Sequence, residues 1–274
     1  MQFLVRIGVF VALFFSLQAC GDRDTDYVEA VDPYDAAGNS ILASQTGAPL
    51  FEGMGSFEMP ISTVNPSAQR YFNQGMVLAF AFNHAESIRS FRAAQILDPN
   101  CAMCFWGEAL ATGPNINVTS NGKVIMSADE RRAAFDAISR ALALKDGATQ
   151  REQDYIVALE SRYNGDPDTE REPLDLAWAA SLKKLVTTYP DDMTAAALYA
   201  EALMNTMPWD YWSDDGIAKP ETTSVIESLD RVLEVEPDHP LALHLYIHAL
   251  EASNDPSRAE AAADRLLSLV PGAG

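Results

Sequence analysis

Residues 67–99 read SAQRYFNQGMVLAFAFNHAESIRSFRAAQILDP, and their spacing decides the fold. Tyr71, Gly75 and Leu78 fall on one helical face, Asn83-His84 turns the chain, and Ser87, Phe91 and Ala94 share a face of a second helix. That second helix must stop before Pro99, because proline lacks the N–H and clashes with the preceding turn. Small residues at Gly75, Ser87 and Ala94 let two antiparallel backbones approach, while Tyr71 and Phe91 fill the gap between them. Ser67 is the expected cap of the first helix.

The same proline recurs at Pro190, Pro237 and Pro271. Pro237 and Pro271 are 34 residues apart, the period of a tetratricopeptide repeat. Asp146 lies 47 residues after Pro99, and Pro237 lies 47 after Pro190, so each of those units is one period plus 13 residues. The second unit runs from Ala102 through Ala109, a Gly-Pro-Asn insert, then Ala134, Ile138 and Ala141. The third has helices at 149–163 and 173–188 around the turn Asn164-Gly165-Asp166-Pro167. The fourth spans Thr194 to Asn205, the insert PWDYWSDDGIAKP, and Glu221 to Val235. The fifth pairs Pro240–Ala252 with Pro256–Leu269. The expected architecture is all-α, a right-handed solenoid of about five tetratricopeptide-like helix pairs with inserts at two intra-repeat turns.

Residues 1–20 form a separate device. Arg6 opens it, Ile7 to Leu17 are mostly apolar, and Leu17-Gln18-Ala19-Cys20 matches a bacterial lipobox. The apolar run is too short for a bilayer, which takes about 20 helical residues, so a lipoprotein signal peptide is expected, with Cys20 as the lipidation site. Gly21 rather than aspartate follows, which points to a lipid anchor on the outer membrane, facing the periplasm of the bacterial cell envelope. Asp22, Asp24, Asp26, Glu29, Asp32 and Asp35 repel one another, so 21–55 is expected to be a flexible tether and 56–274 the repeat domain. No polar capping helix follows the fifth unit, and the domain is expected to be truncated at its C-terminus. With 39 acidic against 19 basic residues the net charge is −20, which disfavours nucleic acid as a partner.

In such a solenoid the first helix of each pair lines the concave groove. The exposed face of those helices would carry Phe72, Met76, Phe80, Trp106, Glu201, Met204, Asn205, His244 and His248, a lining suited to a peptide or protein segment. The inserts and a turn place His84, Asn115, Asn117, Trp209, Asp210, Tyr211 and Trp212 on one edge, where repeat proteins often bind. His244 and His248 share a helix face, with Glu251 a turn beyond as a third metal ligand or a tautomer-fixing partner. The protease zinc motif is absent, and hydrogen-bonded structural histidines are the alternative. Cys101 and Cys104 are either disulfide-bonded, a thiol pair for a soft metal, or small packing residues.

The strings AQRYFNQGM, AFNHAESIRSFRAAQILDPNCAMCFWGEAL, GPNIN, PWDYW and HPLALHLYIHALEAS resemble a bacterial family of tetratricopeptide-repeat lipoproteins over about residues 50 to 274. Family members continue past PGAG into a histidine-rich stretch and further repeats, and the family carries no established reaction. The expected function is therefore a non-enzymatic, membrane-anchored periplasmic scaffold that binds a protein or peptide in its groove and needs no cofactor. The alternative is a metal-binding or redox protein using the histidines and cysteines.

Overall fold

The computed structural model describes residues 36–119 and 126–273, and among these the chain is all-helical. The expected signal peptide, Cys20 and the first part of the tether lie outside the described residues. The helices are α1 (Ala36–Thr46), α2 (Pro66–Phe80), α3 (His84–Leu97), α4 (Ala102–Thr112), α5 (Ile116–Thr119), α6 (Ala128–Leu144), α7 (Gln150–Glu160), α8 (Arg171–Thr188), α9 (Met193–Thr206), α10 (Pro220–Val235), α11 (Pro240–Leu250) and α12 (Glu260–Leu269). Among the described residues none is long and apolar enough to cross a membrane.

Local chemistry sets the boundaries. Helices α3, α8, α10 and α12 each end two residues before Pro99, Pro190, Pro237 and Pro271. Ser127 with Glu130 and Thr149 with Glu152 form reciprocal capping boxes at α6 and α7. The cap of α2 is Asn65 rather than Ser67: its Oδ1 accepts from Ser67 N–H at 2.9 Å and Ala68 N–H at 3.3 Å. Pro66 at the first helical position, needing no partner for an N–H, moves the start back.

Successive helices pack as pairs: α2 with α3, α4 with α6, α7 with α8, α9 with α10, and α11 with α12. Helices α2, α4, α7, α9 and α11 form an inner layer, in which α2 touches α4, α4 touches α7, and α11 touches both α9 and α2. The last contact closes the array. His244 Nδ1 meets the Phe80 carbonyl at 2.5 Å across 164 residues of chain, and His239 packs on the rings of Phe57 and Phe80 at 5.5 and 5.8 Å.

That closure corrects the open groove. Phe72, Met76, Phe80, Trp106 and Met204 are buried in the core, and Asn205 is 6 % exposed. Trp106 donates Nε1–H to the Tyr155 carbonyl at 3.1 Å, and Phe72 packs edge-on to Phe91 inside the first pair. A side chain committed to such neighbours offers no surface to a peptide. Of the nine expected groove residues only Glu201, His244 and His248 are half-buried.

The tether is also shorter than expected. Residues 36–55 include α1, with Leu42, Ala48 and Leu50 buried. Asn39 brackets Leu50, donating to its carbonyl at 2.7 Å and accepting from its N–H at 2.9 Å. Tyr71 Oη donates to Ala48 O at 2.6 Å, and Gln74 binds both Pro49 O and Phe51 N–H. Further along, Ser62 gives its N–H and hydroxyl to Glu152 at 2.5 Å each. These bonds satisfy an irregular backbone that composition alone marks as free.

Candidate functional site

The C-terminal ends of the inner helices lie together, and there the two inserts meet. Trp209, on the insert after α9, donates Nε1–H to Ile116 O, on the insert after α4, at 2.9 Å. Trp212 donates to Ala249 O at the end of α11 at 2.8 Å. Asn115 binds His84 Nε2 at 2.7 Å and accepts from the Asn117 N–H at 2.9 Å. The expected edge set is thus brought together, except that Asp210 turns to an ion pair with Lys219 within its own insert.

His244 and His248 join this edge rather than a groove. Their Nε2 atoms face each other at 3.0 Å, and His248 Nδ1 meets Glu251 Oε1 at 2.9 Å. Phe82 lies against three histidines: stacked on His84 at 5.9 Å and on His248 at 6.3 Å, and tilted on His244 at 4.5 Å. Trp209 meets His248 edge-on at 5.2 Å. Among the described residues, Phe82 (φ 60°) and Trp209 (φ 62°) are the non-glycine residues with positive φ, and both pack on His248. For bulky side chains that region costs of order 1–3 kcal/mol, so the surrounding packing over-determines the site.

The electrostatics follow burial. Burial pushes the His84 and His244 pKa values down; the Ala111 carbonyl near His84 and the Phe80 carbonyl on His244 oppose it. Burial raises the Glu201 carboxyl, against the attraction of Arg162 and a hydrogen bond from Asn205. Burial also raises the Tyr211 phenol, with the Trp209 backbone opposing and Glu251 adding to it. Arg162 is 1 % exposed: burial works against its charge, but Tyr163, Asp175 and Glu201 more than offset that. It donates to Asp175 at 3.3 Å and to Pro114 O at 2.9 Å, tying α7 to the first insert. Asn205 Oδ1, Tyr211 Oη and His84 Nδ1 are buried here without a well-formed hydrogen bond to the protein.

Sequence reasoning missed Phe82, Arg162 and Asp175. A left-handed phenylalanine carries no residue signal, and a buried ion pair is not periodic. The histidines and the cysteines are not brought into one site. Cys101 and Cys104 form a disulfide, and Cys101 caps the start of α4, whereas Asn115 and His84 lie past its end. An 11-residue helix separates them by about 16 Å. Among the described residues no group of three or more His, Cys, Asp or Glu side chains is gathered to hold a metal ion, and Glu251 meets His248 at Nδ1, where a tautomer-fixing partner would sit.

On its far side His244 lines an apolar cleft of about 420 Å³ with Phe80, Ile247 and Leu266. No protein-family model matches the chain, and a comparison with curated proteins gives no significant match.

Proposed function

We propose that this chain is a tetratricopeptide-like binding protein, not an enzyme, that recognises a protein or peptide through the edge where its inserts converge. The observation that carries this is Trp209. The residue is 39 % exposed, its backbone is held at positive φ, and its indole is braced by Ile116 O and His248. A rigid, part-exposed tryptophan is the residue type most often found as an interface anchor. Ile217, on the same insert, is 67 % exposed. The filled inner layer leaves this edge, rather than a groove, for a partner. The lipobox at Cys20 supports an edge displayed in the bacterial envelope on a lipid anchor, and the net charge of −20 favours a partner other than nucleic acid.

A photo-crosslinking side chain at Ile217 of the full chain, expressed in its native envelope, tests both parts. A discrete crosslinked band is expected from position 217 and not from Ile96, exposed on α3. It should weaken in Trp209→Ala, and lipid labelling should vanish in Cys20→Ser. Equal bands from 217 and 96, or label retained without Cys20, would remove the corresponding part.

A further inference from the structure

We propose that His244 and His248 form a two-imidazole site for a borderline transition-metal dication such as zinc, with water in the remaining coordination positions. Helix α11 places the rings one turn apart on one face. Each Nδ1 is already engaged by an acceptor: the Phe80 carbonyl on His244 and the Glu251 carboxylate on His248. Acceptors at Nδ1 fix the proton there and turn the Nε2 lone pairs outward, the outer arrangement found around metal-ligating histidines.

The two Nε2 atoms are 3.0 Å apart. Metal–imidazole bonds of about 2.0–2.1 Å drawn from both would meet at an angle near 95°, that of neighbouring positions in a tetragonal or octahedral shell, and a small opening makes it tetrahedral. A metal held between the two Nε2 atoms leaves both Nδ1–H bonds intact.

The surroundings fit that role. Phe82 and Trp209 restrict rotation of the His248 ring from two sides. The His248 side chain is 20 % exposed, so an ion and its waters can reach it. His84 stands beyond Phe82 with its Nε2 held by Asn115, which keeps it out of the shell. Two neutral nitrogen donors select zinc, nickel or copper over magnesium or calcium, which prefer oxygen cages. The site is independent of edge recognition: either can exist without the other.

The test uses the full chain, without a histidine tag and stripped by chelator, titrated calorimetrically with zinc and with magnesium. One zinc per chain is expected, with no competing response to magnesium. His248→Gln should weaken zinc by about 100-fold, and Glu251→Gln by about 10–100-fold through the outer partner. Asp210→Asn, a nearby surface acid, should leave zinc uptake unchanged. Copper bound to the wild type should show electron-spin coupling to two nitrogens, which keeps the proposal testable if a variant fails to fold. Zinc uptake that is absent, or that persists in His248→Gln, overturns the site. Crosslinking from Ile217 with and without chelator separates this outcome from the partner-binding one.

Discussion

Phe91 shows how tightly a single position controls the packing. Its ring lies between two glycines: a Cβ built on Gly75 would come within 2.8 Å of it, and one on Gly107 within 2.3 Å. Gly107→Ala should therefore destabilise the protein by about 1–3 kcal/mol, read as a lower urea midpoint with unchanged slope. Gly75→Ala should cost less, and the reverse order would mean that the ring sits nearer α2 than α4. Gly75 was legible as a point of approach because it interrupts an aromatic face at helical spacing. Gly107 was not, since the neighbour that needs its smallness comes from another pair. Trp106 was misread for a related reason: its place on the inner face was visible, but not the Tyr155 carbonyl that takes its N–H.

His239 caps α11 through Nδ1, which accepts from Ala242 N–H at 3.3 Å and can do so only while unprotonated. Burial beneath Phe57 and Phe80 lowers its pKa from 6.5 to about 4. With a lowered folded-state pKa, the unfolded chain takes the proton first. The stability contributed is complete above about pH 6.5 and is lost as pH falls through about 4, a loss of at most about 3 kcal/mol. His239→Asn keeps a competent cap without the titration. Its melting temperature should fall less than that of the wild type between those pH values, and a parallel fall would place the acid sensitivity elsewhere. Pro240 marked the start of this helix in the sequence. The histidine before it carried no such signal, because imidazole is a rare cap and this one depends on rings from distant segments.

Closure of α11 onto α2 changes how the molecule should come apart. Open repeat arrays unfold unit by unit, since each unit contacts only its neighbours. Here the first and last pairs also share the Phe80–His239–His244 contact. Wild-type unfolding followed by circular dichroism and tryptophan fluorescence should therefore coincide. Phe80→Ala should cost about 3–5 kcal/mol and speed amide exchange in α11 and α12 as well as in α2. Exchange unchanged in α11 would mean that the closure contributes no coupling. The proline-marked ends of the paired helices and the inserts were legible because each is written in local punctuation; α1 and α5 were not. The closure was not, because it depends on the summed curvature of all the pairs.

The inner helices also point the same way, since each is separated from the next by one that returns. Their last carbonyls therefore gather around the inserts, and each helix end acts like about half a negative elementary charge. The buried Arg162 guanidinium, bonded to Pro114 O, is the cation the fold already keeps in that field. A cation arriving at His248 enters a potential well built by peptide dipoles together with the Glu251 carboxylate that His248 already engages. Neutralising the acidic exterior would slow its approach without flattening the well, and mobile salt would screen the approach far more than the destination.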